Sequence, residues 1–89
     1  MNQPSTEMPR YKCHKEVHAL KIQEMRVVPE TTTGRWLLYP ADPEYGPIEV
    51  DQEYMVRHKP QLGGYYVVYE DGYASYSPAK AFEDGYTRI

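Results

Sequence analysis

The stretch YYVVYEDGYASYS, residues 65 to 77, constrains this chain more than any other. Two runs rich in aromatic and β-branched residues flank a single Asp-Gly dipeptide. A two-residue type I' turn needs positive φ at both central positions, and Asp-Gly is among the few dipeptides that accept it. The stretch therefore reads as a β-hairpin turning at Asp71-Gly72, with Glu70 opposite Tyr73, Tyr69 opposite Ala74, Val68 opposite Ser75 and Val67 opposite Tyr76. Strand alternation then puts Tyr65, Val67, Tyr69, Ala74 and Tyr76 on one side, and Tyr66, Val68, Glu70, Tyr73 and Ser75 on the other. The first set carries no charge and is expected to face the core.

Five of the ten tyrosines of this 89-residue chain lie in that hairpin, and the composition explains why some must be buried. A chain of this length makes one domain near the lower limit for a self-supporting core. Aliphatic side chains are few, so aromatic carbon has to supply much of the buried area while each phenol keeps a polar tip in reach of water or a partner. Tyr66 and Tyr73 remain on the second face. With Tyr45 from the irregular segment ADPEYGP, they are the expected contact patch, because tyrosine gives rigid amphipathic area at low entropic cost.

Elsewhere the pattern is plainer in some places than in others. Residues 1 to 10 are polar and aperiodic and read as a mobile arm before a single domain at 11 to 89. Between Tyr11 and Val28, Val17 and Ala19 share one parity and Leu20 and Ile22 the other, as in a strand with a bulge. Val17, Leu20, Val27 and Val28 would also share one side of a helix, and strand is the favoured reading. RWLLY, ended by Pro40, and IEV at 48 to 50 read as short strands. Asp51 is a good N-cap for a helix over 51 to 59, with Val50 and Met55 spaced as a hydrophobic staple, basic residues at its end and Pro60 as its stop. Ser77 is expected to cap a second helix over 78 to 84, with Pro78 in its first turn and Gly85 as its C-terminal stop. The final YTRI is apolar enough to dock. These elements predict an α+β fold: a small twisted antiparallel sheet, a partly open barrel or roll, with two short helices.

Chemistry-bearing constellations are sparse. CHKEVH, at 13 to 18, brings Cys13, His14 and His18 together. The zinc-protease pattern nevertheless needs Glu directly after the first His, where Lys15 stands, and no second ligand pair has the spacing of a structural site. No nucleophile elbow, phosphate-cradling loop or dinucleotide fingerprint occurs, so no catalytic residue, cofactor or metal is expected, and the protein is not expected to be an enzyme. The net charge of -3 includes no basic block of the kind a nucleic-acid binder carries, so that partner class is not expected. No apolar run approaches the length of a membrane span. One cysteine, with no internal disulfide to form, fits a reducing compartment.

Two segments carry a resemblance. KCHKEVHALKI at 12 to 22 and GGYYVVYEDGYASYSPAKAFEDGYTRI at 63 to 89 resemble small uncharacterised proteins of tailed bacteriophages and prophages, which combine KCHKEV-ALKI with GGYYVVYEDGY-S-SPA-AFE-GYT. The resemblance implies a phage origin and action in the host bacterial cytoplasm or in the virion. It also favours the strand reading of residues 12 to 28, and it transfers no activity, ligand or catalytic residue. The functional expectation is a non-enzymatic accessory protein that binds a host or phage protein, or a second copy of itself, through the tyrosine-rich hairpin. A minor structural or decoration subunit of the particle is one alternative, and a small-ligand or metal-binding protein using CHKEVH is another.

Overall fold

In the computed structural model, which describes residues 8–12, 16–29 and 34–89, one long strand organises everything else. That strand, β2 (Glu16–Val27), has three antiparallel neighbours: β1 (Arg10–Lys12), β3 (Trp36–Pro40) and β5 (Tyr65–Val68). β4 (Ile48–Val50) extends the sheet beyond β3, β6 (Ala74–Ser77) beyond β5, and β7 (Thr87–Arg88) beyond β1. Among the described residues the result is a twisted, partly open sheet of seven antiparallel strands with two short helices, α1 (Gln52–His58) and α2 (Ala79–Gly85). This is the α+β class that the sequence predicts.

Backbone hydrogen bonds show how one strand serves three partners. Ala19 donates its N–H to the Pro9 carbonyl at 3.0 Å, and the Lys21 carbonyl accepts from Ala41 at 2.8 Å. Residues of one parity point their backbone groups to one edge, so β1 and β3 lie end to end along the same edge of β2. Ile22, of the other parity, bonds Gly63 and Gly64 on the opposite edge at 2.7 and 2.8 Å. Between Ile22 and Glu24 the register with β3 shifts by one residue. Such a bulge turns the alternation over and bends the strand, so Ile22 and Met25, of opposite parity, pack into the same cluster.

The sheet is covered on both faces. Val17, Ala19, Tyr65 and Val67 pack on one side against Phe82 of α2. Ile22 packs on the other with Leu38, Val50 and Tyr54 of α1, joined by the partly buried Trp36, Tyr66 and Tyr76. Burial of both parities in β2 thus follows from two covered faces, and the bulge falls after the apolar residues whose pattern suggested one. Residues 13–15 lie outside the described residues, but from Glu16 onward the strand reading of this region holds. Pairing also reaches into the stretch expected as a mobile arm: Pro9 is buried and β1 begins at Arg10, while residues 1–7 lie outside the described residues.

Two expectations need correction. The hairpin pairs Tyr66 with Tyr76, Val67 with Ser75 and Val68 with Ala74, one residue away from the expected register. Tyr69 donates to the Tyr73 carbonyl at 3.0 Å, and Gly72 donates to the Tyr69 carbonyl at 2.9 Å. Glu70, Asp71 and Gly72 therefore form a three-residue loop, a type I turn followed by a left-handed residue, Gly72, at φ 89°. One extra loop residue exchanges the faces of β6: Tyr76 and Ala74 join Tyr66 and Val68, and Ser75 joins Tyr65 and Val67. The second correction concerns α2, whose N-cap is Pro78 without a side-chain capping bond; Ser77 instead ends β6, and Gly85 is the last helical residue.

Short as it is, α2 is held by ring packing. Phe82, 1% exposed, stacks on Tyr65 at 4.2 Å and on Tyr86 at 4.5 Å, and meets the edge of Tyr11 at 4.8 Å. An isolated helix of this length would not persist, so this aromatic cluster is what holds it on the sheet. Its continuation is ordered as expected, through the Tyr86 ring and the backbone: β7 pairs with β1 and Ile89 donates to the Arg10 carbonyl at 3.0 Å, while the Ile89 side chain stays exposed.

Candidate functional site

A cleft of about 290 Å³ separates α1 from the hairpin loop. The helix side begins at Asp51, whose carboxylate accepts the Tyr54 N–H at 2.8 Å as an N-cap, and ends at Lys59, left-handed at φ 46°. Between these stops Glu53 and Arg57 form an i,i+4 ion pair at 2.7 Å, and His58 follows at the end of the last turn. The Tyr54 hydroxyl donates to the Ser75 carbonyl of β6 at 2.7 Å, which fixes the rotation of the helix over the sheet. Tyr54 is the floor, Arg57 and His58 stand on one wall, and Gly72, Tyr73 and Ala74 form the other.

Tyr73 is at the rim and 44% exposed. Its hydroxyl lies 3.5 Å from His58 Nε2, at the outer limit of a hydrogen bond, and the two rings are 6.1 Å apart. His58 in turn tilts against Tyr54 at 4.6 Å, and Tyr54 against Tyr66 at 5.8 Å. Burial, and then the neighbouring Arg57 guanidinium, lower the His58 pKa, so its ring is neutral at pH 7 and offers one donor and one acceptor. Hydrogen bonding to the Tyr73 hydroxyl, then the charge of Glu53, hold Arg57 firmly in its cationic form. Burial pushes the Tyr54 phenol far above its ordinary value, and Tyr66, Tyr76 and Tyr73 add to that shift, so it serves only as a neutral donor.

These groups suit recognition of a side chain with an apolar body and a polar end. Tyr54 and Tyr73 provide aromatic surface, and His58 and Arg57 provide polar contacts, the imidazole favoured in its neutral form and the guanidinium in its cationic form. A 3.5 Å contact between a phenol and a neutral imidazole does not make an activated nucleophile.

Of the three residues expected to form a patch, the structure places Tyr73 at the cleft. Tyr66 lies half-buried in the second core cluster, where desolvation raises its pKa. Tyr45 is half-buried in the loop before β4, where its N–H donates to the Asp42 carbonyl at 3.2 Å, and it does not line the cleft. Sequence reasoning missed Arg57, His58 and Tyr54 as site residues. Arg57 and His58 read as a basic helix end and Tyr54 as a packing residue; the one local hint was that Tyr54 and His58, four apart, share a helix face.

Within CHKEVH, His18 is half-buried in β2 between Arg10 and Val68, and Cys13 and His14 lie outside the described residues. Among the described residues no three His, Cys, Asp or Glu side chains are placed to hold a metal ion, and no helix is long and apolar enough to cross a membrane. Comparison of the chain with protein-family models, curated proteins and solved structures finds no match.

Proposed function

We propose that this protein is a non-enzymatic protein-binding module that docks a partner side chain in the cleft between α1 and the hairpin, with Tyr73 as its main anchor. The observation that carries the reading is Tyr73 itself: an aromatic ring 44% exposed, held over a cleft whose floor is a second tyrosine. Exposed tyrosines beside a concave surface are the residues on which binding energy concentrates. The phage resemblance supplies the setting, the host bacterial cytoplasm, with a host or phage protein as partner.

The test is affinity capture from phage-infected cells, followed by titration of the captured protein into isotope-labelled wild type and Tyr73→Ala. Chemical-shift changes centred on residues 53–58 and 72–74, and binding weakened about thirtyfold by Tyr73→Ala at unchanged thermal stability, are the expected results. Binding that is insensitive to Tyr73→Ala, or shifts centred on Tyr45, would overturn this placement. Tyr66→Ala is a contrasting control, expected to lower stability because that ring is part of the core.

A further inference from the structure

We propose that the free edge of β6 pairs with the same edge of a second copy of this chain, in antiparallel register about a two-fold axis through Ser75. This edge adjoins the cleft, because Gly72 and Ala74 also line it, but self-association and partner binding are read by separate measurements.

The bond between the Tyr69 N–H and the Tyr73 carbonyl fixes which β6 residues face β5. Tyr73, Ser75 and Ser77 point their backbone groups toward β5, so Ala74 and Tyr76 point theirs outward. No described residue pairs with those outward groups. The other outer strands are blunted. β7 has two residues and carries Arg88, while β4 follows Pro47 and carries Glu49 in an ion pair with Arg35. β6 reads Ala-Ser-Tyr-Ser, with no charge and no proline to discourage pairing.

The occupant follows from the edge's self-complementarity. With the axis at Ser75, Ala74 of each copy faces Tyr76 of the other, and the outward N–H and C=O groups of both residues are satisfied. The next outward position is Pro78, which has no N–H and ends the ladder opposite Gly72. Beyond it the acidic loop residues Glu70 and Asp71 of one copy approach the start of α2 in the other, which carries Lys80, an exposed cation shared with Asp84 of its own helix at 3.2 Å. No like charges are set directly opposite each other along the uncharged centre.

Such a small interface gives a weak dimer, with a dissociation constant on the order of 0.1 mM. Because Ser75 lies on the axis, Ser75→Lys sets two cations directly opposite each other, and Ser75→Asp two anions. Each variant alone is expected to weaken the dimer about three- to tenfold in sedimentation equilibrium, and a one-to-one mixture to associate more tightly than either. Independently of any variant, amide exchange on the wild type should slow at Ala74 and Tyr76 as concentration rises, while Ser75 and Ser77 stay protected throughout. A wild type that remains monomeric to about 1 mM, charge variants whose mixture gains nothing, or concentration-independent exchange at Ala74 and Tyr76 would each overturn the proposal. If a charge variant fails to fold, the exchange measurement decides alone.

Discussion

Gly64 shows how much one missing side chain can decide. It is buried at the entrance to β5 and its φ is not positive, so glycine is there for space and not for conformation. A Cβ at this position would run into the ring and hydroxyl of Tyr76, which lies over the Gly64 backbone while its hydroxyl donates to the Gln61 carbonyl at 3.4 Å. The neighbour in the way is a partly buried ring that packs against the second core cluster. Gly64→Ala is therefore expected to cost about 1–3 kcal/mol, as overpacking does. In a Tyr76→Ala background the same change should cost less than about 0.5 kcal/mol, because the space is then empty. Urea denaturation of the four proteins measures the difference, and additive costs would show that the ring is not what excludes the methyl group. The sequence marks Gly63-Gly64 as the entry to the hairpin but gives no sign of this contact, which depends on a residue twelve positions later.

At the scale of elements, what was legible had local causes. The first helix is where its cap, its dipole-matched charges and its proline stop place it, since all of these act within a few residues. The hairpin was legible as a hairpin but not in its register. Asp-Gly serves a two-residue type I' loop and, equally, the end of a three-residue loop in which only Gly72 needs positive φ. Hydrophobic pattern could not choose between them, because both faces of the sheet are covered. The observed loop has a further tie, the Asp71 carboxylate accepting the Tyr73 N–H at 3.0 Å. Gly72 stands at φ 89° with open space around it, so Gly72→Ala meets backbone strain alone and should cost about 1–2 kcal/mol by thermal denaturation. A neutral outcome would be incompatible with a left-handed residue at that position. The candidate site was legible in Tyr73 only. Its partners Arg57 and His58 lie some fifteen residues earlier, and a contact across that distance is made by the packing of α1 on β6, which no local pattern announces.

For the molecule as a whole, the two core clusters are joined through β2 and β5, and each cluster is closed by one short helix. The tie at α2 includes one arrangement that responds to pH. Glu83 accepts from Lys21 Nζ of β2 at 3.0 Å and from the Tyr65 hydroxyl of β5 at 2.8 Å, so a single carboxylate clamps the helix to two strands. The bond from Lys21, then that from Tyr65, hold its pKa below the ordinary glutamate value. A carboxylate whose pKa is depressed in the native state favours folding above its unfolded pKa of about 4.3, and that contribution is lost as pH falls through the lower native value. The wild type should therefore lose stability steadily below about pH 4.5, and Glu83→Gln, which keeps the shape and gives up the charge, should show a shallower decline over the same range. His58, whose pKa is lowered as well, acts higher on the scale: its neutral form favours the native state above about pH 6.5, and stability falls as it is forced to take a proton. Denaturant titrations of the wild type and Glu83→Gln from pH 2 to 8 separate the two groups, since the variant alters the lower limb alone. Parallel curves below pH 4.5 would mean that the clamp is too well solvated to matter, leaving Phe82 and its ring neighbours to hold the helix unaided.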